Sequence, residues 1–163
     1  MILIALGANL PTHAGAPAFT LRAALASLAK NGVIVRAVST FYRTPAWPDP
    51  RDPAFVNAVA RIETELSPVK LMELLQSTET AFGRARGARN APRTLDLDVL
   101  DYNSRVEEGP PILPHPRIAG RAFVLIPLRD VAPEWCDPVS GKSIVQLMDE
   151  LAADARAAVT PLN

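Results

Sequence analysis

The chain has 163 residues, close to the common size of one domain, and is long enough to bury a core without disulfides or a structural metal. Acidic and basic residues cancel at 17 each, which argues against holding nucleic acid or an anionic membrane by global charge, so any basic site is local. Hydrophobic residues at 48% and charged residues at 21% exclude wholesale disorder. The single cysteine, Cys136, the lack of a charged leader and the lack of any apolar run near the ~20 residues that span a bilayer predict a cytoplasmic protein.

In chain order, ILIAL (2–6) reads as a buried strand stopped by Gly7. Pro17 opens a helix with Leu21, Leu25 and Leu28 on one face, and Asn31-Gly32 ends it. VIVRAVSTFYRT (33–44) is β-branched and strand-like. Four prolines between Thr44 and Ala54 make the next stretch a loop. In FVNAVARIETE (55–65) apolar and polar residues alternate with the period of a strand. Ser67-Pro68 supplies an N-cap and a first-turn proline for a second helix that turns Leu71, Leu74, Leu75, Thr78 and Phe82 inward, and Gly83 closes it. LDLDVLDY (95–102) is a further strand.

The order β-α-β-β-α-β predicts a ferredoxin-like α+β fold over one domain, residues 1–163. Its sheet is mainly antiparallel, with additional helices and a C-terminal hairpin or helix near 143–152.

Side chains alternate across a strand, so Leu95, Leu97 and Val99 face the core while Asp96 and Asp98 project together from the other face. An edge strand with its acids in water is one reading. The other is a divalent cation, which turns the repulsion of two carboxylates into binding. Just before them, Arg84, Arg86, Arg89 and Arg93 fall within ten residues, interleaved with Gly87 and Ala88 rather than with acids. A solvated basic turn is the ordinary fate of such a run. Beside a cation site, however, it suits phosphoryl transfer, where the protein mainly positions groups and neutralises charge. His115 lies between two prolines in PHPRIAGRAF, with Arg117, Arg121 and Phe123 nearby. No HxxxH or CxxC set points to zinc, and neither GxxxxGK[ST] nor GxGxxG is present.

Taken together, ALGANL, FYRTPAW, FVNAV, RTLDLD, PHPR…R.F and IPLRDVAPEW resemble the 6-hydroxymethyl-7,8-dihydropterin pyrophosphokinases of folate synthesis, over nearly the whole chain. The resemblance implies transfer of the β,γ-pyrophosphoryl unit of ATP to the hydroxymethyl oxygen of the pterin, with release of AMP. It implies that Asp96 and Asp98 hold two Mg2+ ions, that Arg84 and Arg93 close on the phosphates, and that His115 and Arg121 contact them. Gln76 would lie near the nucleotide. Phe55 and Phe123 would stack on the pterin, Asn57 would bond its edge, and Thr44, Pro45 and Trp47 would line the same pocket. Glu79 would support the arginine loop. The partners expected are ATP and 6-hydroxymethyl-7,8-dihydropterin, bound by a monomer, with no nucleic acid and no membrane.

Many relatives carry a lysine and a tryptophan in the arginine loop, where this chain has Gly87 and Asn90 and is one residue shorter. Trp47 is then the candidate to shield the pterin. A basic residue before the PH motif is also missing, since VEEGPPI is acidic. Two rivals stay open on the residues alone. A nucleotidyltransferase would release pyrophosphate, and a nucleic-acid module on a similar sheet would need exposed aromatics and excess positive charge.

Overall fold

ILIAL is apolar at every position because the strand it forms is covered on both faces. The structure is a computed structural model that describes residues 1–46, 49–84 and 93–162. Its elements run β1 (Ile2–Ala8), α1 (Pro17–Lys30), β2 (Ile34–Val38), β3 (Tyr42–Thr44), β4 (Phe55–Glu63), α2 (Pro68–Ala81), β5 (Asp96–Tyr102), α3 (Ala122–Val131), α4 (Ile144–Asp149), α5 (Ala153–Ala157) and β6 (Thr160–Pro161). The sheet is antiparallel with β5, β1, β4, β3 and β6 side by side, and β2 also pairs with β4. Counting β2 and β3 as one interrupted strand, the fourth, first, third and second strands lie in that spatial order, the arrangement expected of the ferredoxin-like core.

Helices α1 and α2 cover one face, where Ile2, Ile4, Leu6, Leu21, Leu28, Leu71, Leu75 and Leu97 form the main core. Helices α3 and α4 cover part of the other through Leu3, Val59, Leu100, Leu125, Leu128, Trp135 and Leu147. The second helix starts at its serine, whose hydroxyl accepts from the Lys70 N–H, and Leu74 is only half-buried while the other inward positions are buried.

Two expected boundaries shift. Gly7 does not stop the first strand, which runs on to Ala8 and keeps its register against β4 and β5. The stretch 33–44 is not one continuous strand. The Ser39 hydroxyl accepts the Val59 N–H, and the Ser39 N–H donates to the Val59 carbonyl, so the ladder bonds continue through a serine where the strand path breaks. At the C-terminus, Cys136 bridges Ser143 across a turn, the capping box of α4 follows, and the chain returns to lay β6 on the edge of β3.

The second core contains one carboxylate, Asp101, which is fully buried. It accepts the indole N–H of Trp135 at 2.7 Å and the Ser104 N–H at 2.9 Å. Trp135→Phe removes a donor from this carboxylate, and leaving such a group short of a partner costs about 1–3 kcal/mol. Urea denaturation of the variant is expected to show that loss; an unchanged midpoint would mean that the Ser104 N–H suffices.

Candidate active site

A row of residues crosses the sheet in register: Asp96 on β5 faces Gly7 on β1, Gly7 faces Asn57 on β4, and Asn57 faces Tyr42 on β3. A Cβ at position 7 would meet the Asn57 Oδ1 at 3.1 Å and the Asp96 Cβ at 3.9 Å, so the bare backbone of Gly7 is the floor between two polar side chains. In the next row Ala5 separates Asp98 from Val59. Two small residues on β1 thus open a depression on the α3 face of the sheet, at the end that α3 leaves uncovered. Asn57 is only 8% exposed, and its amide donates to the Thr44 hydroxyl at 2.8 Å, leaving its oxygen toward the floor.

Asp96 is held by two guanidinium groups: Arg84 Nη1 lies 2.8 Å from one carboxylate oxygen and Arg93 Nη1 2.8 Å from the other. Arg84 also pairs with Glu79, whose carboxylate accepts the N–H of Leu97, the residue between the two aspartates. Burial pushes the Glu79 carboxyl up to about 7, against the pull of the Leu97 N–H and the Arg84 guanidinium. The backbone of Arg93 is fixed separately. Its N–H donates to the Asn9 side-chain oxygen, its carbonyl accepts from the Asn9 and Leu10 N–H groups, and the Asn9 amide reaches on to the Pro53 carbonyl. Asn9 therefore ties the segment entering β5 to the segment entering β4.

Asp98 lies two residues further along, with His115 Nε2 4.0 Å from its Oδ2. Burial and the neighbouring Asp96 push its pKa up, while His115 and Arg121 pull it down. His115 is oriented by its own backbone: Nδ1 accepts the Arg117 N–H, so in the neutral ring the Nε2–H faces Asp98. Burial holds the imidazole below its ordinary pKa. Arg121 caps α3, its guanidinium lies 5.4 Å from the Phe123 ring centroid, and burial lowers its pKa. The positive end of the α3 dipole faces the same space.

Two cavities result. The larger, about 930 Å³, is lined by Gly7, Thr44, Pro45, Phe55, Asn57, Arg93, Asp96, Asp98, His115, Arg121 and Phe123 among others. The smaller, about 350 Å³, lies between Met72, Gln76, Glu79, Arg84, Ile112 and Pro116. Asp98 and His115 border both. The structure thus places Gln76 and Arg84 on one side of Asp98, and on the other Thr44, Pro45, Phe55, Asn57 and Phe123, expected for the pterin, together with Arg93 and Arg121, expected for ATP. Trp47, Arg86, Gly87, Arg89 and Asn90 lie outside the described residues.

The donor set suits Mg2+. Two carboxylates two residues apart share one strand face and one cavity, and among the described residues no cluster of three or more acidic, histidine or cysteine side chains forms a closed cage. A hard cation that keeps most of its shell for water and phosphate oxygens needs no more.

The roles of Gly7 and Asn9 are not visible in the sequence. Gly7 is singled out by its position opposite the first aspartate, a register that no local pattern displays. Asn9 is 4% exposed with both amide atoms bonded, the mark of a positioning residue.

The family described as 7,8-dihydro-6-hydroxymethylpterin-pyrophosphokinase (HPPK) matches residues 3–133. The chain belongs to this family. A 2-amino-4-hydroxy-6-hydroxymethyldihydropteridine pyrophosphokinase of Synechocystis sp. is 38% identical over 98% of this chain and 80% of its own length. One of Methylorubrum extorquens is 39% identical over 91% of each. Among solved structures, a Plasmodium falciparum HPPK-DHPS triple mutant superposes with a TM-score of 0.69 at 12% identity, over 91% of this chain and 42% of that one, which supports the fold.

The Glu79 proton gives a test of the buried network. A folded pKa of about 7, above the ordinary carboxylate value of 4.5, means that the folded state binds the proton more tightly than the unfolded chain. The associated stability is fully present below the ordinary carboxylate pKa and is lost as pH rises through about 7. Glu79→Gln keeps an oxygen for the Leu97 N–H and removes the titration. Relative to the parent, the variant is therefore expected to gain stability between about pH 4.5 and about pH 7, measured by urea denaturation across that range; a constant difference would show that Glu79 stays ionised.

Proposed function

We propose that this chain transfers the pyrophosphoryl unit of ATP to the hydroxymethyl oxygen of 6-hydroxymethyl-7,8-dihydropterin in folate synthesis, giving the pterin diphosphate and AMP. The observation that carries the reading is the meeting of two cavities at Asp98 and His115. A flat acceptor fits the larger one, where the Phe55 and Phe123 rings supply apolar faces and Asn57 supplies an edge partner. The adenosine end of ATP fits the smaller one, between Gln76 and the apolar side chains of Met72 and Ile112. Its phosphate chain would then cross the boundary, where the acceptor oxygen attacks the β-phosphorus and the bond from the β-phosphorus to the oxygen carried off by AMP breaks.

Asp96 and Asp98 would hold two Mg2+ ions, which supply charge neutralisation for the triphosphate when bound. Around them the chain's own groups do the positioning. Arg84 and Arg93 would leave Asp96 for phosphate oxygens, a planar donor set that suits either partner. His115 would donate its Nε2–H to a phosphate oxygen. Arg121 would add a fixed charge beside the helix N-terminus.

The decisive measurement is the nucleotide product formed from ATP, Mg2+ and 6-hydroxymethyl-7,8-dihydropterin. AMP is expected; ADP, or no turnover, overturns the reading, and pyrophosphate release would mark a nucleotidyltransferase. Asp96 and Asp98 are expected to part company in stability. Asp98→Asn should cut turnover at least about a hundredfold while the fold keeps or gains stability, since burial and Asp96 oppose its charge. Asp96→Asn should cut turnover as deeply but lower stability by up to about 1 kcal/mol, because the half-buried pairs to Arg84 and Arg93 are lost. Equal stability effects would remove the assigned difference between the two carboxylates.

Gly7→Ala tests the floor. The added methyl group presses on the Asn57 amide oxygen at 3.1 Å but meets the Asp96 Cβ only at an ordinary contact distance of 3.9 Å, so the KM for the pterin should rise about tenfold with the KM for ATP within about twofold. A matched rise in both would show that the substitution disturbs the sheet as a whole.

A further inference from the structure

The larger cavity has a wall drawn from beyond residues 3–133, the span that the family description matches. Ala155, Ala158 and Val159 line it together with Phe123. Helix α5 buries none of its own side chains, and a five-residue segment of that kind would fray if left to itself. It is held from its far side instead. Val159 packs half-buried on the second core, Thr160 and Pro161 pair with Arg43 and Tyr42, and the Leu162 N–H donates to the Phe41 carbonyl at 2.7 Å. The strand that receives this pairing ends in Thr44, whose hydroxyl takes the Asn57 amide. The C-terminal segment is thus tied to the same edge strand that orients the acceptor-side asparagine.

We propose that residues 153–162 form one wall of the acceptor pocket, and that Ala155 and Ala158 set how bulky an acceptor it admits. The inference rests on the pterin reading of that pocket. Both alanines are exposed to the cavity rather than packed in a core, so their methyl groups contribute little to holding the fold. What they contribute is width. A branched four-carbon side chain at either position takes volume from the acceptor, while leucine remains a good helix former, so α5 itself is not disfavoured. The competing role for the segment is a simple cover for the β3 edge. In that case its strand pairing matters, and the size of the side chains facing the cavity does not.

The test uses the full chain with Ala155→Leu and Ala158→Leu, and Ala157→Met, on the same helix but outside the cavity lining, as a control for side-chain size. Both leucine variants are expected to raise the KM for the pterin acceptor about tenfold, with the KM for ATP and the thermal midpoint held, and the Ala157→Met variant to match the parent. Should one leucine variant fail to fold, the other decides. An acceptor KM within about twofold of the parent in the folded leucine variants, or equal rises in both KM values, overturns the inference and leaves the pyrophosphokinase reading standing. A parent chain that forms no AMP overturns both.

Discussion

The site depends on the absence of a side chain at Gly7. Three strands meet there in register, and the residues on either side, Asp96 and Asn57, belong to the two halves of the proposed site. Any Cβ between them would press on the Asn57 oxygen at 3.1 Å and close the floor that lets the halves face one space. Backbone pairing on both sides keeps Gly7 in place, so the conformational freedom of glycine, ordinarily a weakness inside a strand, carries little penalty here. The two-sided coverage of the sheet supplies the remaining constraint. Helices bury β1 on one face along its whole length, while on the other α3 covers only the end that bears Leu3, leaving Ala5 and Gly7 open to the cavity.

Electrostatics follow from this placement. Asp96, Asp98 and Glu79 bring three carboxylates close together, and Arg84, Arg93 and Arg121 bring three guanidinium groups, which is why a chain with no net charge still concentrates charge in one place. The arrangement is asymmetric. Asp96 has its oxygens engaged by arginines, while Asp98 faces the His115 imidazole at 4.0 Å. A carboxylate that binds two guanidinium groups has those lone pairs engaged, so in the proposed reading the arrival of a metal-bound triphosphate would involve an exchange of partners. Phosphates would give the arginines a second set of oxygens, which would lower the cost of releasing Asp96. Glu79, paired with Arg84 and anchored by its carboxylate to the backbone of β5, would keep Arg84 near during such an exchange.

Much of this was legible in the residues. Alternation placed Asp96 and Asp98 on one face and the leucines on the other, and Ser67-Pro68 and Asn31-Gly32 marked helix ends that the structure reproduces. What sequence patterns could not supply was register. The break between β2 and β3 arises from a serine that bonds a residue 20 positions away, and Gly7 gains its meaning only from the strands beside it. The same holds for Asn9, whose partners are 44 and 84 residues distant. The coverage of both sheet faces was foreshadowed by the unbroken apolar run of β1, yet the helices that provide the second face carry no signal saying on which side they pack.

The position of Asp98 and His115 on the boundary of both cavities gives the last constraint. In a transfer between two bound molecules, the reacting atoms must lie within a few ångströms of each other, and two separate pockets satisfy this only where they share a wall. Here the shared wall is anchored from two directions. Asp98 sits in the central part of a strand paired to β1, and His115 is fixed by its N–H to the Leu100 carbonyl and by the bond from Arg117 to its ring. The groups expected to close on phosphate, Arg84 and Arg93, instead stand where helix α2 has ended and where β5 has not yet begun. In the proposed reading, rigid elements therefore fix where the two substrates would meet, and the ends of elements supply the charges that would change partners when they do.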